Sequence, residues 1–394
     1  MLFPRKLLKP LEEQLRKPEI VVLTGMRRVG KTTLLNMVYK KIASDNKVFL
    51  DLTNPMHQMI FEEKNYDNIC SNLKEYNISI KEKTYIFLDE IQQKPDIVNI
   101  IKYFYDHYKV KFFLTGSSSF YFKNLFPESL AGRKAVYDIF PLDFEEFLTF
   151  KKQEKIFFKE CKLKEKNKNN ISYEKYKKFY EEYLLYGGFP QVALEEKQER
   201  KIQWIGDIFK SYFEIDVRTL ADFKNINIFR DLILLLLKRT GSKLEIDKIS
   251  TELGISRPTV YSYISFLQGT YFIHLISPFT KNIDREVSGT KKIYICDNGI
   301  INNFSKIDIG SLLENAVFLN LKKYGEVKYF QKRKGPEIDF ILMEGSAGFE
   351  VKETANLKDY LKLKKIADFL ELKEFYIVAN NFSNEQGIIN ALDL

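Results

Sequence analysis

The residues best suited to chemistry lie near the start of the chain, where two glycines precede a lysine and a threonine. Gly25 to Thr32 read G-x-x-x-x-G-K-T, the Walker A pattern. Gly25 and Gly30 free the backbone to turn its N–H groups towards a phosphate. Lys31 brings a positive charge to β- and γ-phosphates, and the Thr32 hydroxyl suits Mg²⁺. The pattern predicts a site for a nucleotide and Mg²⁺.

The elements around this loop have to hold it against a phosphate. The apolar run 20–24 predicts a strand before the loop, and Thr32 to Ala43 predict a helix after it. The N-terminus of that helix adds the positive end of its dipole to the anion site. The alternative is a chance glycine-rich turn, which joins a strand to a helix without this chemistry.

An acidic motif follows further along the chain. The apolar run 84–88 ends in Asp89 and Glu90, the Walker B pattern. A central parallel strand would deliver Asp89 to the Mg²⁺ shell at its carboxyl end. Glu90 would then orient and deprotonate a water beside the γ-phosphate. Helix capping is the alternative role of these carboxylates, but both motifs together predict nucleotide binding and Mg²⁺-dependent hydrolysis.

Further polar groups follow or precede predicted strands. The strand 111–115 runs into three serines, and Thr115 and Ser117 are candidates for contact with the attacking water or the γ-phosphate. An ordinary turn explains the serines equally well. Arg133 precedes the predicted strand 135–139 and could reach a neighbouring subunit's γ-phosphate as an arginine finger. Pairing with a surface carboxylate is its alternative.

The predicted roles divide into three sets. The nucleotide-binding residues are Gly25, Arg28, Gly30, Lys31, Thr32, Thr33 and Ser117. The metal-binding residues are Thr32 and Asp89. The catalytic residues are Lys31, Glu90 and Arg133.

Length and composition limit the class of protein. The 394 residues indicate two or three domains. A net charge of +9 is compatible with nucleic acid, although scattered lysines also serve solubility. Three cysteines without C-x-x-C spacing argue against a zinc site and fit a cytoplasmic location. We expect no signal peptide and no membrane association, because the longest apolar run, 232–237, is far shorter than a bilayer span.

The middle of the chain is predicted to be helical. Residues 151–170 mix Lys and Glu, which favours a solvated helix and a flexible connector over a nucleic-acid tail. Helical residues 173–186 are followed by Gly187-Gly-Phe-Pro190, where the helix must stop because proline is not accommodated in a helix interior.

A helix–turn–helix pattern follows. Residues 246–253 and 256–267 predict two helices joined at Gly254, and 271–276 suit the strand of a wing. The start of the second helix presents polar residues where a recognition helix would meet DNA. The predicted DNA contacts are Arg257, Thr259 and Tyr261. Packing against a neighbouring domain is the alternative, because one arginine supplies little affinity for phosphate.

The C-terminal region predicts an αβββαβ order. Glu314 lies on the first helix of this region, Asp339 on the second strand, and Glu350 and Lys352 on the third. Carboxylates without His or Cys suit Mg²⁺ or Mn²⁺, and Lys352 would polarise a scissile phosphate or a nucleophilic water. The alternative is a set of charged strand residues that neutralise one another.

These motifs resemble those of a prokaryotic AAA+ ATPase family. The resemblance is carried by Gly25 to Thr33, Leu88 to Glu90, Thr115 to Ser117, Leu130 to Arg133 and Tyr186 to Pro190. It implies ATP as the ligand, a five-stranded parallel sheet, a helical lid over the nucleotide, a DNA-binding-type helical region and a C-terminal nuclease-like domain of unknown function. The constellation of Glu314, Asp339, Glu350 and Lys352 resembles the PD-(D/E)xK nucleases, with Ile338 in place of the usual proline.

The predicted fold class is therefore α/β: a P-loop AAA+ parallel sheet, a helical lid, a winged helix-turn-helix and a nuclease-like α/β domain. The predicted domains are 1–145, 146–240, 241–290 and 291–394. The predicted function is ATP hydrolysis with Mg²⁺, acting on or with DNA, with a homo-oligomer as a candidate assembly. The alternatives are an ATP-dependent nuclease with a second Mg²⁺ or Mn²⁺, and a regulator that binds DNA or protein without cleavage.

Overall fold

The computed structural model describes residues 2–116, 132–155, 169–217, 225–280, 286, 289–332, 335–342 and 345–394. The chain divides into two units. Unit 1 comprises Met1–Phe140, Glu214–Leu220 and Gly269–Tyr271, and unit 2 comprises Pro141–Phe213, Ala221–Gln268 and Phe272–Leu394. In the described part of the chain, no helix combines the length and the apolar character that crossing a bilayer requires.

Unit 1 is built on a five-stranded sheet in the order β2-β3-β4-β1-β5. Its strands are β1 (Ile20–Thr24), β2 (Lys47–Asp51), β3 (Thr84–Asp89), β4 (Val110–Gly116) and β5 (Lys134–Asp138). All neighbouring strands run parallel, which confirms the predicted sheet. Every residue of β1 and β4 is buried, because a parallel sheet is covered on both faces. The carboxyl ends of β1, β3 and β4 therefore meet at one edge.

Helices cover this sheet in unit 1. They are α1 (Leu8–Glu13), α2 (Lys31–Lys41), α3 (Pro55–Met59), α4 (Tyr66–Lys74) and α5 (Ile97–His107). Asn54 and Asn65 begin α3 and α4, where their side chains accept backbone N–H groups at 3.0 Å. Helix α2 starts one residue before its predicted position and ends at Lys41, two residues before Ala43.

Unit 2 starts with a helical region and has further helices towards the end of the chain. Its helices are α6 (Phe144–Phe150), α7 (Asn170–Tyr186), α8 (Pro190–Leu194), α9 (Gln198–Ser211), α10 (Ile226–Lys238), α11 (Ile246–Leu253), α12 (Arg257–Gly269), α13 (Asn298–Ser305), α14 (Ile309–Leu321) and α15 (Leu357–Leu370). A π-helical turn, Tyr212–Val217, follows α9. The predicted connector falls partly on residues 156–168, which lie outside the described residues.

The break after α7 depends on two glycines and a buried carboxylate. Gly187 has a φ of 75°, a left-handed conformation that glycine adopts without strain. The Asp297 carboxylate accepts the N–H of Gly188 at 2.6 Å and that of Gly299 at 2.8 Å. Pro190 then begins α8. The predicted helix break is confirmed, and its anchor is a residue 109 positions away from Gly188.

The helix pair α11 and α12 is joined at Gly254, whose φ of 63° ends α11 as predicted. Strands β6 (Ile273–Ile276) and β7 (Lys292–Ile295) form an antiparallel ribbon after it. The strand predicted from residue 271 begins two residues later, because Tyr271 has a φ of 63° and leaves the extended conformation.

A second five-stranded sheet follows, in the order β12-β11-β10-β9-β8. Its strands are β8 (Val327–Gln331), β9 (Glu337–Leu342), β10 (Ala347–Lys352), β11 (Glu374–Ala379) and β12 (Ile388–Asn390). Strands β8, β9 and β10 are antiparallel, whereas β10, β11 and β12 are parallel. The predicted αβββαβ order is observed with β12 added. Helix α14 begins at Ile309, so Glu314 lies in its second turn.

Candidate functional site

The loop between β1 and α2 can form only with glycine at its first position. Gly25 has a φ of 152°, and a Cβ on it would lie 2.1 Å from the carbonyl oxygen of Ile139. Gly30 has a φ of 95° immediately before α2, a conformation that also favours glycine. Arg28 adopts a left-handed φ of 63° between them. The loop therefore wraps back over the N-terminus of α2, as the Walker A pattern predicts.

Lys31 extends across the mouth of this loop. Its Nζ donates to the carbonyl oxygens of Gly25 at 2.8 Å and of Met26 at 3.0 Å. The side chain is buried. Burial lowers the pKa of Lys31, and the nearby carboxylates of Glu90 and Asp216 oppose that shift. The Lys31 ammonium is therefore held by neutral carbonyl oxygens. An anion at the same place would bind this ammonium more strongly than they do.

The two predicted metal ligands touch each other. The Thr32 hydroxyl donates to the Asp89 carboxylate at 2.8 Å, although the residues are 57 positions apart. Thr115, at the end of β4, donates to the other oxygen of the same carboxylate. Burial raises the pKa of Asp89, and the hydrogen bonds from Thr115 and Thr32 partly offset that rise. A buried carboxylate with a hydroxyl beside it is a hard-oxygen pair of the kind that Mg²⁺ prefers.

Glu90 is positioned by its backbone as well as by its side chain. Its φ of 55° and ψ of 50° are left-handed, a conformation that costs a non-glycine residue about 1–2 kcal/mol. The Thr115 hydroxyl accepts the backbone N–H of Glu90 at 3.0 Å. The Gln92 side chain donates to the Glu90 carboxylate. Backbone strain of this kind is common at functional sites, where a side chain has to be held in one direction.

Comparison with known sequences agrees with this geometry. Residues 17–148 match a sequence family described as an AAA domain. Residues 177–309 match a domain of unknown function, DUF8612. The first match covers the phosphate loop, the acidic motif and the five parallel strands.

Unit 1 has the P-loop AAA+ fold. We call it the AAA+ unit from here on. An uncharacterized protein of Methanocaldococcus jannaschii is 28% identical over 96% of this chain and 85% of its own length. An uncharacterized protein of Haemophilus influenzae is 26% identical over 87% of this chain and 85% of its own. The likeness to these relatives therefore extends well past the AAA+ unit.

Two solved structures show weaker likeness. The Aeropyrum pernix ORC1 protein, solved in complex with DNA, is 14% identical with a TM-score of 0.33, over 78% of this chain and 93% of that one. The Thermotoga maritima RuvB Holliday junction branch migration motor is 13% identical with a TM-score of 0.31, over 69% and 89%.

The remaining predicted residues of the AAA+ unit lie around the loop or outside the described part. Arg28 and Thr33 are exposed, one in the loop and the other in the first turn of α2. Arg133 precedes β5, and its guanidinium lies 3.3 Å from the Asp106 carboxylate. Ser117 falls within residues 117–131, outside the described residues.

Two contacts that the AAA+ unit makes with its loop were not indicated by any sequence pattern. Arg5 donates to the carbonyl oxygens of Val29 and Phe140, both at 2.9 Å. Arg27, the third residue of the loop pattern, pairs with Asp216 at 2.9 Å. Arg27 and Asp216 are 189 positions apart in the sequence, and no local motif contains both of them.

The four predicted nuclease-like residues also come together, in unit 2. The Asp339 carboxylate accepts the N–H of Val351 at 2.8 Å, and Lys352 donates to Glu350 at 3.0 Å. Burial, followed by the charge of Asp339, raises the pKa values of Glu314 and Glu350 to about 7. One oxygen of Glu350 is buried without a hydrogen-bond partner.

Lys292 on β7 is the member of this cluster that sequence reasoning missed. Its ammonium lies 3.9 Å from both the Glu314 and the Asp339 carboxylates. Among the described residues, no group of three or more His, Cys, Asp or Glu side chains is arranged to hold a metal ion. With a lysine between two of the three carboxylates, the cluster does not fit a divalent cation as it stands.

The predicted DNA contacts lie on the exposed face of α12. Tyr261 is 60% exposed. Ser256 caps the helix by accepting the N–H of Thr259 at 3.3 Å. The Arg257 guanidinium lies 2.5 Å from the Asp247 carboxylate, and both side chains are exposed. This pair reduces the positive charge that the face offers.

Proposed function

We propose that this chain is an ATPase, and that the AAA+ unit binds ATP with Mg²⁺ and hydrolyses it. The observation that carries the proposal is the 2.8 Å hydrogen bond between the Thr32 hydroxyl and the Asp89 carboxylate. It joins the two motifs beside Lys31 at the edge of the sheet where β1, β3 and β4 end. A nucleoside triphosphate with its metal needs these groups at one point.

Each residue then has a defined task. The loop from Gly25 to Gly30 surrounds the phosphates with backbone N–H groups. Lys31 exchanges its carbonyl acceptors for phosphate oxygens, which bind an ammonium more strongly. Thr32 and Asp89 are the protein ligands of Mg²⁺. When bound, this ion neutralises charge that develops on the phosphates.

Glu90 is the proposed general base. Its carboxylate would accept a proton from the attacking water. Thr115 fixes the Glu90 backbone and Gln92 holds its carboxylate. This double support restricts the positions that the base can occupy, as efficient proton transfer requires.

Steady-state turnover and nucleotide binding test the proposal together. Lys31→Ala should lower turnover at least about 100-fold and weaken binding. Glu90→Gln should lower turnover by about 100- to 10,000-fold with binding retained. Lys40→Ala and Glu75→Gln make the same changes at exposed positions of the same unit and should leave turnover unaltered. Wild-type turnover in Lys31→Ala and Glu90→Gln would disprove the assignment.

A role on or with DNA is the finer part of the proposal. Support comes from the helix pair α11 and α12, with Arg257, Thr259 and Tyr261 on one helix face, followed by the β6–β7 ribbon, which is the order that a winged helix-turn-helix would have. ATP turnover with and without DNA, over a range of salt concentrations, tests it. Stimulation that Arg257→Ala weakens would support it. Absence of nucleic-acid affinity at low salt would favour the protein-binding alternative.

Phosphodiester cleavage in unit 2 is a second candidate function. It is favoured by the proximity of Glu314, Asp339, Glu350 and Lys352, and opposed by the position of Lys292. We therefore assign no metal and no reaction step to this cluster. The nuclease-like and winged-helix domains, their predicted boundaries, the homo-oligomer and the cytoplasmic location stay predictions.

A further inference from the structure

A buried carboxylate faces the cations of the phosphate loop. Asp216 lies in the π-helical turn Tyr212–Val217, within the part of that turn that belongs to the AAA+ unit. Its Oδ1 is 2.9 Å from Nε of Arg27, and the two side chains are 20% (Arg27) and 3% (Asp216) exposed. A π-helical turn is rare and often marks a functional position.

The charges around Asp216 belong almost entirely to the nucleotide site. Arg27 and Lys31 come from the loop and the start of α2, and Glu90 comes from the end of β3. Asp216 in turn favours the charged form of Lys31. Burial raises the pKa of Asp216 to about 6, while Arg27 and Lys31 oppose that rise. The carboxylate is therefore ionised at neutral pH mainly because the loop supplies its counter-charges.

Bound phosphates would need the same counter-charges. We propose that Asp216 is an internal competitor of the nucleotide phosphates for the cations of the loop, and that it holds Arg27 until a triphosphate takes over the guanidinium. This inference rests on the proposed nucleotide site. A triphosphate bound beside Asp216 would bring negative charges together in a partly buried site. Solvent and salt screen the repulsion between them only weakly there. Nucleotide binding and the Arg27–Asp216 pair therefore oppose each other.

This arrangement limits nucleotide affinity and links it to the segment 214–217 of the AAA+ unit. Each bound triphosphate weakens the ion pair that holds this segment to the loop. ADP carries less negative charge and should weaken it less. Asp216 is thus a positioning residue for Arg27, and the type of nucleotide determines how firmly it does so.

The direct test is calorimetric titration of the full chain with ATP and with ADP, in the presence of Mg²⁺ at pH 7.5. Asp216→Asn removes the charge and keeps the size of the side chain. Its Kd for ATP should be about tenfold lower than that of the wild type, with a smaller gain for ADP. Asp45→Asn removes the same charge from an exposed position of the AAA+ unit and should leave both affinities unchanged.

A pH profile separates this role from that of an ordinary structural ion pair. Between pH 7.5 and pH 5.5 the wild-type Asp216 takes up a proton, since its pKa is about 6. The advantage of Asp216→Asn over the wild type should therefore shrink as the pH falls. Protonation of the nucleotide itself affects both proteins equally and cancels in this ratio. Asp216→Ser, which also removes the charge, provides a second variant if the first does not fold.

The outcomes distinguish the two proposals. A wild-type chain that binds no adenine nucleotide overturns the proposed function. Normal wild-type binding, with equal or weaker binding by the neutral Asp216 variants at pH 7.5, overturns only the competition. An advantage that does not depend on pH overturns it as well.

Discussion

The Thr115 hydroxyl accepts the backbone N–H of Glu90 at 3.0 Å and donates to the carboxylate of Asp89. One hydroxyl at the end of β4 thereby fixes the spacing between two consecutive acidic residues at the end of β3. The Asp89 carboxylate points towards Thr32 and accepts its hydroxyl. The backbone of Glu90 is left-handed, so the Glu90 side chain points in a different direction from that of Asp89. The two acids can then serve different purposes.

Removal of this hydroxyl should affect turnover more than binding. In Thr115→Val the Asp89 carboxylate and the Glu90 backbone each lose a partner, so we expect turnover to fall about 10- to 100-fold. The Kd for ATP should change by less than about threefold, because the loop and Lys31 are intact. Thr115→Ser keeps the hydroxyl and should retain most of the activity. Equal losses in the Val and Ser variants would show that the methyl group matters, and not the hydrogen bonds.

Arg133 provides a test of a shared active site. If it acts on a neighbouring subunit, Arg133→Ala should lower turnover at least about 100-fold. Mixing it in equal amounts with Lys31→Ala should then restore about a quarter of the wild-type turnover, because some assemblies combine one intact loop with one intact finger. Turnover per chain should also rise with concentration. If Arg133 serves only its pair with Asp106, the single variant is nearly normal. The mixture then shows about half of the wild-type turnover, which comes from its Arg133→Ala chains alone.

Replacement of Gly188 and of Gly206 by alanine should change the free energy of unfolding in opposite directions. A Cβ on Gly188 would lie 2.2 Å from the carbonyl oxygen of Leu142. Gly188→Ala should therefore lower the free energy of unfolding by about 3 kcal/mol. A Cβ added to Gly206, within α9, would meet no atom within 4 Å beyond the adjoining backbone of its own helix. Gly206→Ala should raise stability by about 0.5–1 kcal/mol. Urea denaturation of both variants measures the contrast, and similar effects would refute the close packing at Gly188.

Asp297 should make stability depend on pH. Burial raises its pKa from 3.8 to about 7, while the N–H groups of Gly188 and Gly299 oppose the rise. The unfolded chain therefore releases this proton first, and the contribution of Asp297 to stability falls as the pH rises from about 4 to 7. The advantage of the wild type over Asp297→Asn should shrink across this range by a few kcal/mol, up to about 4.

Urea denaturation at pH 4.5 and pH 7.5 measures this difference. Asp368→Asn, at an exposed position of α15, is the matched control, and its difference from the wild type should not change with pH. A constant difference between the wild type and Asp297→Asn would contradict the raised pKa.

The cluster around Asp339 predicts the outcome of a cleavage assay. Because Lys292 lies 3.9 Å from two of the carboxylates, we expect no cutting of plasmid or single-stranded DNA by the wild type with Mn²⁺. Lys292→Met removes the ammonium and should allow Mn²⁺ to bind, as measured by calorimetry. Cutting by the wild type that is lost in Asp339→Ala would establish the nuclease instead. Cutting that survives Asp339→Ala would come from a contaminant.

The sequence by itself determined the parts of this protein that local patterns encode. Continuous apolar runs predicted β1, β3 and β4, because strands covered on both faces need apolar side chains throughout. The spacing of Gly25, Gly30 and Lys31 predicted the loop, because only that order lets the backbone turn back over a helix. Since parallel strands end at the same edge, the meeting of Thr32 and Asp89 also followed from the sequence.

Tertiary structure alone decided which distant charges meet. Asp216 reaches Arg27 across 189 positions, and Asp297 reaches Gly188 across 109. Lys292 lies 3.9 Å from the carboxylates of both Glu314 and Asp339. A single acidic residue or lysine does not belong to a spaced sequence motif, so its partner cannot be identified from the sequence. Its partner is selected by burial, because a charge removed from water is stable only where the fold brings it a counter-charge or a row of N–H groups.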